Sequence, residues 1–331
     1  MTPLVSVVIP VRNGGAYLRE AVDSILSQSY ENLELVLVDD HSTDDAVRQL
    51  DMGDPRLTII NSVGSGVVEA FNTGFKHCKG EFIARMDADD ISLPERLTNQ
   101  LEYLAQHPSV AIAGCRVEIF SETGIQGGLE RYERWLNAVV EPQQVRHQIF
   151  IESPIPNPGA MFRRSVLQQL GGYRDVGWPE DYDLFLRADA ASLRMGKPEP
   201  VLLRWREHAT RITHTDSVYQ RQQFMRAKTH FLVRYRLQGR PVVIWGAGPT
   251  GRLMHDLIVA ESGQVTGFIE VHPRRIGGQK RGLPVWPVEQ ASQLGNAMLL
   301  VAVGAAGARQ EIRDYLHTHH RIEGQDYLFV A

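Results

Sequence analysis

Short β-branched runs alternate with stretches of helical periodicity from the N-terminus onward. That alternation confines the first part of the chain to right-handed βαβ units and a largely parallel sheet. Leu4 to Pro10 (LVSVVIP), Leu33 to Val38 (LELVLV), Leu57 to Ile60 and Glu81 to Met86 read as strands. Between them, Leu18, Ala21, Val22, Ile25 and Leu26 recur at helical spacing within Tyr17 to Gln28, and Asp44 to Leu50 and Val67 to His77 read as further helices. Asn13-Gly14-Gly15 is a turn signal, with Asn13 placed to cap the helix that follows. Ligands of such sheets gather at the carboxyl ends of the strands. Asp39-Asp40 and Asp87-Ala88-Asp89-Asp90 both fall there.

The pattern then changes twice. Pro142, Pro154, Pro156 and Pro158 break the middle of the chain into loops suited to shaping an acceptor pocket. A basic helical stretch from Ser217 to Leu237 follows, and after Gly239 strand and helix alternate again, beginning with Pro241 to Trp245 (PVVIW) and Arg252 to Val259. The expected organisation is an α/β domain over 1–216, a helical connector over 217–238 and a small Rossmann-like α/β domain over 239–331. A length of 331 residues exceeds one ordinary core and suits two domains. Lys+Arg 35 against Asp+Glu 39 gives a net charge of -4, without the basic excess of a nucleic-acid binder. Arg163-Arg164 and Arg274-Arg275 read as solvated surface, leaving a peripheral membrane contact open. Cys78 and Cys115 have no metal-type spacing, and no basic-then-apolar leader or spanning apolar run is present in the sequence. The expectation is a cytoplasmic protein, with a homo-oligomer left open.

Asp87-Ala88-Asp89-Asp90 sets three carboxylates within four residues of an apolar strand. Neighbouring anions raise one another's pKa unless a cation or hydrogen bonds compensate. A hard divalent metal completed by a diphosphate is one solution. Capping by Asp90 of the helix near Pro94, with the other acids solvated, is the other, and spacing alone leaves both open.

The ordered series Ser6-Val7-Val8-Ile9-Pro10-Val11-Arg12-Asn13, Ser24-Ile25-Leu26-Ser27-Gln28-Ser29-Tyr30, Val38-Asp39-Asp40-His41-Ser42-Thr43-Asp44, Asn72-Thr73-Gly74, Asp87-Ala88-Asp89-Asp90 and Trp178-Pro179-Glu180-Asp181-Tyr182-Asp183 resembles the family 2 glycosyltransferases of the GT-A fold. The resemblance covers roughly residues 4 to 215. It implies inverting transfer from a nucleotide-sugar donor, UDP-linked by preference, to a saccharide or lipid-linked saccharide hydroxyl, with Mn or Mg as the divalent metal. Its donor-binding residues map onto Pro10, Val11, Asn13, Asp39, Asp40, Asn72, Asp87 and Ala88, and its metal ligands onto Asp89 and His208. Asp181 takes the place of the catalytic base, with Glu180 second. Without the resemblance, Glu180 and Asp181 read as acids facing a helix dipole. Many relatives carry a basic residue before Asn72, where this chain has Phe71, so that one diphosphate contact either is missing or falls to Arg12 or Arg85. Arg211 suits a phosphate, and Tyr173 and Trp178 suit either a sugar ring or the core.

Gly246, Gly248 and Gly251 form GxGxxG after a strand and before a helix, and Glu270 ends the next strand. They mark a second nucleotide site. The segment from Val242 to Ala331 resembles the Rossmann-like domain of sugar-nucleotide acyltransferases and of some sugar methyltransferases. Two competing readings follow: an NAD-dependent sugar-nucleotide oxidoreductase using that motif, and a catalytically degenerate nucleotide-sugar-binding protein suggested by Phe71.

Overall fold

The computed structural model describes residues 2–50, 53–125, 127–305 and 307–331. The chain divides into two units: Met1–Val145 with Pro154–Ser217, and Arg146–Ser153 with Val218–Ala331. In the first half of the chain the elements are β1 (Val5–Val11), α1 (Leu18–Leu26), β2 (Leu33–Asp39), β3 (Leu57–Asn61), α2 (Val67–His77), β4 (Phe82–Arg85), β5 (Ile91–Ser92), α3 (Arg96–Gln106), β6 (Val110–Ala113) and β7 (Arg116–Phe120). They continue with α4 (Gly127–Ala138), α5 (Pro142–Gln148), β8 (Met161–Arg163), α6 (Arg164–Leu170), α7 (Glu180–Ala190), β9 (Arg194–Gly196), β10 (Val201–Arg206) and α8 (Ile212–Thr215).

Every residue of β1 is buried, because helices cover both faces of the sheet; hence a near-continuous apolar run rather than an alternating one. The main sheet runs β3-β2-β1-β4-β8-β6-β9. β1 pairs in parallel with β2 and β4, whereas β8 is antiparallel to β4 and β6. The chain therefore builds outward from β1 to β3, then returns to place β4 on the other side of β1. That reversal creates a crevice beyond the carboxyl ends of β1 and β4. Pairing of β1 with β4 stops at Val8, while pairing with β2 continues to Val11. Pro10 lies past the last β4 partner, where its missing N–H disrupts no ladder on that side. A smaller sheet, β5-β10-β7, carries the chain that follows α7 back towards the end of β4.

Asp44 to Leu50 forms turns rather than the expected helix. The start of this loop is tied to the loop after β1: Thr43 N–H donates to Asn13 Oδ1 at 2.7 Å, and the Asp44 carboxylate accepts from Gly15 N–H at 2.9 Å. Asn13 accordingly braces this loop instead of capping α1, whose N-cap is Tyr17.

The second unit contains α9 (Arg221–Phe231), a π-helical turn over Leu232–Arg236, β11 (Val242–Trp245), α10 (Pro249–Ala260), β12 (Val265–Ile269), β13 (Gln279–Lys280), β14 (Leu283–Trp286), β15 (Met298–Val301), α11 (Ala308–Thr318) and β16 (Tyr327–Phe329). Its sheet runs β13-β14-β12-β11-β15-β16 and is parallel except at β13. From Val218 onward, the stretch expected as a connector over 217–238 supplies helical elements counted with this unit, and the excursion over 146–153 is counted there too.

Gly74 explains the close seating of α2 on the main sheet. A Cβ there would lie 2.6 Å from Val8 Cγ1 and 2.8 Å from Val38 Cγ2, both on stiff β-branched side chains. Gly74→Ala gains about 1 kcal/mol of helix propensity, while overpacking costs roughly 1–3 kcal/mol. Urea denaturation is expected to report a net loss of up to about 2 kcal/mol. An unchanged or improved midpoint would mean that α2 shifts without cost.

Candidate active site

Loops after β1, β2 and β3 meet at one end of the crevice. Asn13 adopts φ 55° and Asp39 accepts from Ser42 N–H at 2.9 Å, giving a tight Asx turn. Asn13 N–H donates to Ser42 Oγ at 2.9 Å, locking the first loop to the second. Asp40 is buried; its N–H donates to Val11 O at 2.7 Å, and Oδ2 accepts from Gly66 N–H at 2.9 Å. Asp40 Oδ1 is buried with no hydrogen-bond partner among the described residues. A carboxylate oxygen left bare at a strand's carboxyl end is fitted to receive a donor from a ligand. Arg12, largely exposed, lies 3.8 Å from Asp40. Pro10 and Val11 form the buried floor beneath these loops.

At the end of β4, ligand atoms of Asp87, Asp89 and Asp90 lie within 4.8 Å of one another. Each acid has a different environment. Asp87 pairs with buried Arg85 at 2.6 Å. Asp90 is fully buried: desolvation, then the charges of Asp89 and Asp87, push its pKa well above the usual carboxylate value. Its Oδ1 accepts from Arg206 N–H at 2.8 Å, while Oδ2 has no hydrogen-bond partner among the described residues. Asp89 Oδ2 meets His208 Nε2 at 2.9 Å, and His208 Nδ1 meets Thr210 Oγ1 at 2.9 Å, which orients the ring. Asp90 therefore does not cap α3, whose N-cap is Glu95. An orphaned carboxylate oxygen beside two further acids and an oriented imidazole is a donor set that fits a divalent cation. Asp89, Asp90 and His208 would hold it. Ala88 links the acids within the same turn.

The third side of the crevice is built around Tyr173. Asn72 clamps its backbone, with Nδ2 donating to Tyr173 O at 3.0 Å and Oδ1 accepting from Tyr173 N–H at 3.1 Å. The Tyr173 hydroxyl bonds Asn157 Oδ1, and its ring stands edge-on to buried Phe71 at 4.5 Å. Tyr173 is thus core. Burial raises its phenol pKa most; Arg85 opposes that rise, and Glu180, Asp181 and Asp87 add to it. That buried ring accordingly lies within electrostatic reach of both the β4 acids and the first turn of α7. Glu180 is buried, Asp181 is half-buried, and Asp181 Oδ1 accepts from Tyr182 N–H at 2.6 Å. Trp178 Nε1 donates to Asp183 at 3.0 Å, and Asp183 also pairs with Arg187 at 2.6 Å. Arg85 sits over the Phe71 ring at 5.6 Å, so the residue suggested as a diphosphate contact is committed to Asp87 and the core.

Arg206 is the main residue that sequence reasoning missed. Its backbone serves Asp90, its Nε donates to Asp89 O at 2.8 Å, and its Nη2 pairs with Glu20. The guanidinium lies over Tyr17 at 4.3 Å and over Phe120 at 4.6 Å. Its only sequence signal is the charge pattern of Arg204-Trp205-Arg206-Glu207, which also suits a solvated strand edge. Arg211 donates to Arg206 O at 2.9 Å and approaches Glu207 at 3.5 Å.

In the second unit, a Cβ on Gly251 would lie 1.9 Å from Gly246 O, so that glycine is required for α10 to pack on the turn. Gly246 has φ 110°, and Gly248 opens onto unfilled space. Glu270 is paired with Arg275 at 2.8 Å and accepts from Val271 N–H at 3.0 Å.

Residues 6–171 match the family Glycosyl transferase family 2. The chain belongs to this family. EpsE of Bacillus subtilis, a glycosyltransferase by name, is 35% identical over 193 residues, covering 56% of this chain and 66% of that protein. An uncharacterised glycosyltransferase of Haemophilus influenzae is 31% identical over 235 residues, covering 68% of this chain and 71% of its own length. Residues 1–349 of S. aureus TarS, solved with UDP-GlcNAc, superpose with a TM-score of 0.57 at 18% identity, over 71% of this chain and 68% of that one. The first unit of this family 2 glycosyltransferase has the GT-A fold. Among the described residues, no helix is long and apolar enough to cross a membrane.

Arg206→Lys keeps the charge and removes the planar fork. The variant is expected to lose about 1.5–3 kcal/mol of unfolding free energy, the scale of hydrogen bonds to charged groups. Chemical denaturation with the stability of the parent retained would make Arg206 dispensable to the acid cluster.

Proposed function

We propose that this glycosyltransferase moves a sugar, with inversion, from a nucleoside-diphosphate sugar to a hydroxyl of a saccharide or lipid-linked saccharide, and that it needs a divalent cation to do so. UDP is the favoured nucleotide; the solved TarS structure, of the same fold, contains UDP-GlcNAc. The observation that carries the reading is the unequal disposition of the three acids. Asp87 is neutralised by Arg85, whereas Asp89 meets His208 and Asp90 presents a bare buried oxygen.

Asp40, through its unpartnered Oδ1, receives a nucleobase or ribose donor, and the locked Asn13 and Asp39 turns shape the pocket around it. Asp89, Asp90 and His208 hold the cation, which when bound offsets the charge developing on the departing diphosphate. Asp181 accepts the proton of the incoming hydroxyl. Its place in the first turn of α7 fixes the carboxylate against Tyr182 N–H, half-buried at the helix start. One base suffices for a single displacement, because no second carboxylate has to protonate the leaving group. Glu180, buried beside Tyr173, positions the acceptor side.

Donor hydrolysis measured across UDP-, GDP- and TDP-sugars, with Mn or Mg and with chelator, tests the substrate class directly. Asp181→Asn is expected to cut transfer by about 10²–10⁴-fold while nucleotide affinity stays within twofold or so of the parent. Asp89→Ala is expected to abolish the cation-dependent part of nucleotide affinity. Equal loss of affinity in both variants would refute this division of roles. Cation-independent turnover of every donor would remove the metal from the reading.

A further inference from the structure

Tyr17 opens α1 without joining that helix's buried face. Leu18, Ala21, Val22, Ser24 and Ile25 make the buried face, whereas Tyr17 is half-buried and Glu20, three residues on, is exposed. Residues at this spacing are neighbours on a helix surface, and both engage Arg206 at the end of β10. Glu20 pairs with its Nη2, and the guanidinium lies over the Tyr17 ring at 4.3 Å. Arg206 is fixed further by its Nε, which donates to Asp89 O at 2.8 Å, and by the Phe120 ring at 4.6 Å. The Tyr17 ring therefore rests on a cation held from several sides.

From there the ring reaches one residue more. Its centroid lies 5.4 Å from that of His208, with the two planes tilted by 41°. β10 ends at Arg206, so His208 follows it outside regular structure. Side-chain contacts meet both of its nitrogens: Nε2 with Asp89 Oδ2 at 2.9 Å, and Nδ1 with Thr210 Oγ1 at 2.9 Å. The first is the contact that a cation would take over, because the two atoms would then be its ligands. The second comes from the histidine's own loop, where Thr210 is exposed. Tyr17, anchored in α1, adds a hold that outlasts the exchange. An aromatic ring beside an imidazole restricts its rotation without claiming a nitrogen, and a bond at Nδ1 leaves Nε2 for a metal.

We propose that Tyr17 is the positioning residue for His208: its ring, pinned on Arg206, keeps Nε2 aimed at Asp89 so that the two take one divalent cation together. This rests on the reading that Asp89, Asp90 and His208 hold such a cation, and adds that the first turn of α1 presets the donor set. The contacts run through the ring rather than the hydroxyl.

Mn(II) binding to the full chain, read from loss of the free-ion electron paramagnetic resonance signal with and without UDP, tests this without turnover. Tyr17→Leu is expected to weaken Mn(II) affinity by roughly tenfold, the lower end for residues that orient a metal ligand, while Tyr17→Phe stays within about twofold of the parent. In a His208→Ala background Tyr17→Leu is expected to lose nothing more, because the ring then has nothing to position. Tyr17→Met repeats the test should Tyr17→Leu melt well below the parent. Unchanged affinity in Tyr17→Leu, with His208→Ala weakened, overturns the role of Tyr17 and leaves the cation reading standing. Equal losses from Tyr17→Leu in both backgrounds also overturn it, assigning the ring to Arg206 and the acids instead. Affinity that neither Asp89→Ala nor His208→Ala lowers overturns the cation reading itself, and this inference with it.

Discussion

Three carboxylates crowded at the end of one strand repel one another, and the cations that tolerate this crowding organise the first unit. Asp87 is held by Arg85 at 2.6 Å. Arg206 serves the turn three ways, through its N–H to Asp90, its Nε to Asp89 O and its fork to Glu20. Beneath them Arg96 is completely buried, donating to Arg85 O at 2.6 Å and to Gln100 Oε1 at 3.2 Å. Burial lowers the Arg96 pKa, and the charges of Cys115, Asp90 and Asp87 work against that fall. Isolated, a buried guanidinium would be strongly unfavourable. Set under an acid cluster and given carbonyl and amide acceptors, it becomes a fixed counter-charge, so the acids keep their geometry before any ligand arrives.

The same cluster is tied to the far side of the crevice through Tyr173. Gly74 lets α2 lie close on β1 and β2, which brings Asn72 to the backbone of residue 173. Arg85 completes the connection by pairing with Asp87 while resting on Phe71, itself edge-on to Tyr173. A glycine and an amide in the middle of one helix and a buried phenol thus connect the β4 acids with the turn that opens α7. Such a packed chain keeps the two sides in register, because core side chains have few alternative arrangements.

The strand alternation and the acidic ends of β2 and β4 were readable because buried parallel strands are apolar along their whole length and ligand residues follow them directly. Leu33 to Val38 and Val67 to His77 carried that signal in residue type and period alone. Asp44 to Leu50 misled because its few apolar residues fit a helix, while the partners that hold the start of this loop, Asn13 and Gly15, lie some thirty residues earlier. Arg206 was not legible for a similar reason: its partners Glu20, Asp89 and Asp90 come from distant elements and share no spacing with it. The roles proposed for Asp89 and Asp181 rest on the resemblance, since spacing alone also suits solvated acids and helix-terminal carboxylates.

Phe71 shows how local packing can account for a departure from the family pattern. The side chain is fully buried, with Arg85 above its ring and Tyr173 at its edge. A lysine in that place would bury a second cation against Arg85, with one carboxylate, Asp87, to share between them. Desolvating an additional unpaired charge costs several kcal/mol on the usual scale, more than a single diphosphate contact returns. The aromatic ring instead supports the Arg85–Asp87 pair, which removes Asp87 from competition for a cation. The charge that remains faces outward from Asp89, alongside an oriented His208, where a diphosphate and its counter-ion would share it.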